Sequence, residues 1–80
     1  MRLDKYLKVS RLIKRRSVAK DCAESDRVLI NDRVAKPATE VKKGDVITLS
    51  IGNKQTRLEV LEIKENVKAT DAKTLYRILD

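Results

Sequence analysis

The apolar residues of this chain are spaced for helices as far as Ala23 and for strands from Val28 onward, and that single change of period leaves few architectures open. At about 100° per residue, Leu3, Tyr6 and Leu7 share one side of a helix while Arg2, Lys5 and Lys8 take the other. The spacing predicts a short amphipathic helix over residues 3–9, with Asp4 in its first turn, where a carboxylate complements the helix dipole. Ser10 marks the break, and residues 11–16 form a connection in which Leu12 and Ile13 turn inward while Lys14, Arg15 and Arg16 stay solvated. Ser17 is the predicted N-cap of a second helix, its hydroxyl placed to accept from first-turn amides. Val18 with Cys22 and Ala19 with Ala23 recur at i, i+4, a narrow face of small apolar residues that lets another element approach closely, and Lys20 points away from it. This helix ends near residues 24–26.

Val28-Leu29-Ile30 is β-branched and strand-like, and Asn31-Asp32 behind it joins two residues that tolerate positive φ, which predicts a tight hairpin to residues 33–35. Pro37 ends the pairing. Lys43-Gly44-Asp45 supplies a turn before a strand over residues 46–51, and Gly52-Asn53 supplies another. Leu58, Val60 and Ile63 alternate with polar residues in a further strand. Tyr76-Arg77-Ile78-Leu79 adds a last one after a polar stretch over residues 66–73. The expected fold class is therefore α+β, two N-terminal helices packed on a small, mostly antiparallel, twisted sheet. Eighty residues support a single domain, since a chain of this order buries only about 60% of its unfolded surface, and a large catalytic cavity is not expected.

The charge is unevenly placed. Residues 1–20 hold Arg2, Lys5, Lys8, Arg11, Lys14, Arg15, Arg16 and Lys20 against the single acid Asp4, so this end carries the whole net charge of +7. The remaining sixty residues carry eleven bases and eleven acids and balance. Like charges crowded in this way repel one another, and a purely structural surface would interleave Glu, as the chain does after residue 20. The segregation points to a polyanionic partner.

The rest of the inventory excludes several functions. Without histidine there is no imidazole base and no Cys/His zinc site, and Cys22 alone closes no disulfide and builds no metal cage. The longest apolar run, Val28-Leu29-Ile30, is far too short for a signal peptide or membrane span. A cytoplasmic protein with no cofactor, no metal and no enzymatic activity is expected. Tyr6 and Tyr76 fall on packing positions, so base stacking on a sheet of aromatic rings is not expected, and a base-rich, aromatic-poor surface suits phosphates and folded RNA read by shape. DNA reading by the second helix is disfavoured because residues 18–24 offer two acids and one base.

The motifs Arg2-Leu3-Asp4-Lys5-Tyr6-Leu7, Ser10-Arg11, Arg15-Arg16-Ser17-Val18-Ala19, Val28-Leu29-Ile30-Asn31 and Lys43-Gly44-Asp45-Val46-Ile47 occur in that order. Together they resemble the RNA-binding domain family named after ribosomal protein S4, over about residues 1–50. Residues 51–80 then form a C-terminal strand extension of the same compact domain. Residues 1–16 and the tail Tyr76-Arg77-Ile78-Leu79 closely resemble the stand-alone RqcP family of ribosome-associated quality control proteins, with a small heat-shock protein that binds large ribosomal subunits as a more distant relative. The resemblance implies a monomer that contacts large-subunit rRNA and P-site tRNA on obstructed subunits. It would act while a partner, RqcH, brings alanyl-tRNA for C-terminal alanine tailing of the stalled chain.

By motif position, the resemblance makes Arg2 and Arg16 the foremost RNA contacts, with Lys5, Lys8, Arg11, Lys14, Arg15 and Lys20 widening the surface. Asp4 either touches RNA, orients Arg2 or Lys8, or caps the helix, and Ser17 is a supporting residue. Where the family pattern places glycine after the second helix and in the hairpin, this chain has Asp26 and Asp32, which can visit positive φ at some cost and add negative charge there. Lys36 is either a solvated lysine or a further contact. Two other functions fit the same charge pattern: an rRNA-binding recycling or assembly factor for large subunits, and a protein-interaction module with a basic docking face.

Overall fold

The computed structural model describes residues 1–79. The elements run α1 (Leu3–Val9), α2 (Arg16–Glu24), β1 (Val28–Ile30), β2 (Arg33–Val34), β3 (Val46–Ile51), β4 (Lys54–Val60), a 3₁₀ segment (Ala69–Leu75) and β5 (Tyr76–Ile78). The strands form one sheet in the order β2-β1-β3-β4-β5, with every neighbouring pair antiparallel. The expected α+β class and antiparallel sheet are what is found.

Register decides which side chains enter the core. Val28 opposes Leu49, Ile30 opposes Ile47, and Ile47 opposes Leu58. Directly opposed residues share a face, so these five and Val60 make one apolar surface. Leu3, Tyr6, Leu7, Ala19 and Ala23 from the two helices complete the same buried cluster. Ala19 and Ala23 are fully buried, whereas Val18, expected beside them, is 45% exposed. The apolar face of α2 is therefore narrower than the i, i+4 pattern suggested: its alanine row is buried, Cys22 packs at the edge of the core, and Val18 is left in solvent.

Each turn has a local cause. Asn31 (φ 52) and Asp32 (φ 66) both take left-handed backbone, as a two-residue hairpin between β1 and β2 requires. The Asn31 side chain also accepts from the Val46 amide at 3.0 Å and donates to Asp45 Oδ1 at 3.1 Å, which fastens the hairpin to the start of β3. At the end of α2, Asp26 (φ 60) donates its amide to the Ala23 carbonyl and Arg27 donates to the Cys22 carbonyl. These two bonds make a Schellman closure with aspartate where glycine is usual. At the end of α1, Ser10 is the cap and Arg11 takes the left-handed position with φ 63.

Three features depart from the sequence-based expectation. Ser17 does not cap α2: the cap position is Arg15, which makes no side-chain capping bond, and Ser17 lies exposed within the first turn. An extended Arg15 (φ −120, ψ 133) lets the helix start two residues early, and its carbonyl accepts from the Ala19 amide. Ile63 packs against the core from outside β4. The polar stretch over residues 66–73 holds most of a 3₁₀ segment, whose Ala72 and Leu75, three residues apart, both point into the protein. The Tyr6 hydroxyl donates to the Leu75 carbonyl at 2.8 Å and so ties that segment to α1.

Candidate nucleic-acid interface

The N-terminus of α1 is satisfied from an unexpected quarter. Its first amide, from Leu3, donates to the Thr39 carbonyl at 2.9 Å, and that of Asp4 donates to the Pro37 carbonyl at 3.2 Å. Met1 and Arg2 run antiparallel to this loop, with Arg2 bridged to Glu40 and the Val41 amide on the Met1 carbonyl. The chain before α1 is thereby held as a short extended segment, so the backbone that carries Arg2 is fixed.

Asp4 occupies the buried side of the first turn, with its side chain only 3% exposed. One oxygen accepts from the Lys5 amide at 2.8 Å and from Arg2 Nε at 3.2 Å, and Arg16 Nη2 reaches it at 3.4 Å. The other oxygen accepts from Arg2 Nη2 at 3.3 Å. One carboxylate therefore draws together arginines from the starts of α1 and α2, whose own side chains remain about half exposed (51% and 47%). Among the alternatives for Asp4, orienting Arg2 and capping the helix both hold. Its further partner is Arg16 rather than Lys8. Asp4 neutralises one of two guanidinium charges, fixes the plane of Arg2 through two bonds and tethers Arg16 through one, leaving their outer edges free to hydrogen-bond.

The remaining expected bases divide into two groups. Lys5 is one-third exposed and pairs with Glu65 at 2.6 Å, so its charge is covered. The Lys5 ammonium, first through this hydrogen bond and then through its charge, holds the Glu65 carboxyl below the usual carboxylate range. Lys8, Arg11, Lys14, Arg15 and Lys20 are exposed and carry no ion pair among the described residues. Lys20 stands one helical turn beyond Arg16, on the same side of α2. Lys36 is taken up by Asp26 at 2.6 Å, so the aspartate that replaces glycine after α2 neutralises the nearest lysine.

Tyr6 is fully buried, and burial, followed by the nearby Tyr76 phenol, pushes its hydroxyl well above the ordinary value of 10.0. It packs and hydrogen-bonds; it offers no ring to a ligand. Among the described residues no three His, Cys, Asp or Glu side chains gather to hold a metal ion. No helix among them is long and apolar enough to cross a membrane. Glu65, Pro37 and Thr39 are the site's supporting groups that sequence reasoning missed, because each acts across a long stretch of chain that no periodic pattern connects.

The S4 domain family matches residues 1–47, which contain the whole Asp4 cluster. The chain belongs to that family. The match makes it an RNA-binding protein. Over nearly its full length it is also 49% identical to the RQC P-site tRNA stabilizing factor of Halalkalibacterium halodurans, covering 98% of this chain and 89% of that one. The protein of that name from Listeria innocua is 51% identical, with 99% and 86% covered. These relatives place the S4 chain among the proteins of translation and ribosome quality control. The trimeric structure of Vibrio cholerae Heat Shock Protein 15 superposes with a TM-score of 0.91 at 35% identity, covering 99% of this chain and 81% of that one.

Proposed function

We propose that this S4 protein is a non-enzymatic, cytoplasmic ribosome-associated quality control factor that binds rRNA and tRNA on obstructed large ribosomal subunits and steadies the P-site tRNA. The observation that carries the reading is the buried Asp4 carboxylate, which holds Arg2 and Arg16 side by side with their outer edges in solvent. Two guanidinium groups fixed at one point make a phosphate clamp, and Lys8, Arg11, Lys14, Arg15 and Lys20 extend the positive surface around it. Lys5 joins them when phosphate displaces Glu65. Asp4 supports this set from beneath, and Ser17 lies exposed beside Arg16, within reach of the same backbone.

Chemistry stays with the ribosome in this reading. RqcH supplies alanyl-tRNA while the P-site tRNA is held, and the stalled chain grows a C-terminal alanine tail. The relatives named RQC P-site tRNA stabilizing factor support this assignment over one in subunit assembly. Residues 1–50 are the RNA-binding part and the described residues beyond them, 51–79, buttress it, since Leu75 receives the Tyr6 hydroxyl from α1. The working unit is a single chain. Sedimentation of the free protein tests this, and a trimer in solution, the form described for the Vibrio cholerae relative, would overturn it.

Co-sedimentation with large subunits in a sucrose gradient is the direct test. Arg16→Ala is expected to release the protein from subunits while its thermal melt stays cooperative. Unchanged co-sedimentation removes Arg16 from the site. With about five phosphates engaged, log affinity should fall with log salt at a slope of roughly −3.5 to −4.5, and binding indifferent to salt would overturn the reading.

A further inference from the structure

The core-facing side of the sheet extends past the helices at one end. There the opposed pairs Leu49–Thr56 and Ile51–Lys54 at the tip of the β3–β4 hairpin face Leu12 of the connection between α1 and α2. These five residues line a cleft of about 260 Å³. Leu49 is buried, Leu12 is half-buried and Ile51 is 46% exposed, so the cleft is an apolar slot open to solvent on one side. The lining contains no carboxylate, and its single charge is Lys54. Arg11 and Lys14 flank Leu12 in sequence, both exposed and without an ion pair among the described residues. The Thr56 hydroxyl is likewise unengaged there.

An apolar slot beside unneutralised cations has the chemistry of a nucleotide, with a flat, weakly polar base for the slot and a phosphate for the rim. The volume lies just below the range of about 300–1,000 Å³ typical of small-molecule pockets, which suits one heterocycle and not a larger ligand. We propose that this cleft takes a single unpaired nucleobase of the bound RNA. Leu12 and Ile51 sandwich the ring, Thr56 hydrogen-bonds its edge, and Lys54 with Arg11 or Lys14 holds the adjoining phosphate. The inference rests on the RNA-binding reading above and adds to it, because phosphate contacts position an RNA without distinguishing a bulge from a regular helix, whereas an inserted base does.

The test uses two hairpin RNAs of identical length, one with a bulged 2-aminopurine and one with an abasic residue at that point. The wild-type chain is expected to bind the first about fivefold more tightly, as burial of roughly 40 Å² of apolar ring surface against Leu12 and Ile51 would give, and to change its fluorescence on binding. Ile51→Glu, at an exposed position, should erase the difference, while the carboxylate it sets beside Lys54 lowers the affinity for both RNAs. Ile51→Ser, which adds no charge, should reduce the difference in the same way. Equal binding of the two RNAs by the wild type, still lost in Arg16→Ala, overturns the cleft and leaves the phosphate clamp standing. An equal loss for both RNAs in Ile51→Ser also overturns it. No binding of either RNA overturns the RNA reading itself.

Discussion

Replacing Asp4 by asparagine separates orientation from charge, because the two predict opposite signs. The shortest bond at this carboxylate, from the Lys5 amide at 2.8 Å, can persist to the asparagine oxygen. The contacts from Arg2 and Arg16, between 3.2 and 3.4 Å, are long for charge-assisted bonds, and both guanidinium groups can turn to water. Each then contributes at the level of a half-exposed pair, about 0.5–1 kcal/mol, and the stability loss comes to about 1–2 kcal/mol. For a domain of this size that lowers Tm by roughly 5–15 °C. The effect on RNA follows from ordering. Two released arginines must be immobilised on binding at about 0.5–1.5 kcal/mol each, so affinity falls by about 1–3 kcal/mol, or roughly 5- to 150-fold. If Asp4 matters only as a negative charge, its removal raises the net charge above +7 and tightens binding. Fluorescence anisotropy across a salt series decides. Weaker binding with an unchanged salt slope supports the clamp, while tighter or equal binding refutes it.

Other outcomes follow from named contacts. Asp26→Gly should stabilise the fold by about 0.5–1 kcal/mol in urea unfolding, since relief of the left-handed backbone at φ 60 outweighs an exposed ion pair with Lys36. The freed Lys36 should strengthen RNA binding modestly, and a weaker complex would argue against its lying near the interface. Glu65→Gln uncovers Lys5 and should raise affinity for large subunits at low salt; an unchanged Kd would show that Lys5 stays out of contact. Because the Glu65 carboxyl is held below its ordinary value, its pairing adds stability above the unfolded pKa, and that increment fades as pH falls through the folded value. Tyr6 behaves in the opposite sense. Its raised pKa keeps it protonated in the folded state after the unfolded chain has ionised, so stability should drop from about pH 10 upward at about 1.4 kcal/mol per pH unit, and should not do so in Tyr6→Phe.

What the sequence made legible is what is decided over a few residues. The bounds of α1, the strand over residues 46–51 and the Asn31-Asp32 hairpin depend on apolar period and on which residues tolerate positive φ, and all three occur where expected. The cluster at Asp4 depends instead on how α1 and α2 pack. Helical spacing offers Lys8 as the i, i+4 partner of Asp4, yet Asp4 sits on the buried side with Leu3 and Leu7 while Lys8 faces solvent. The partner that packing supplies is Arg16, twelve residues on, brought in because Ala19 and Ala23 let α2 approach closely. The capping of α1 is hidden for the same reason. Pro37 looks like a strand terminator, but its carbonyl, with that of Thr39, occupies the amides that a bound anion would otherwise seek. If the proposed clamp holds, phosphate is thereby kept from the backbone end of α1 and left to the guanidinium pair beside it, and the loop after the hairpin would help to select where on this surface an RNA backbone binds.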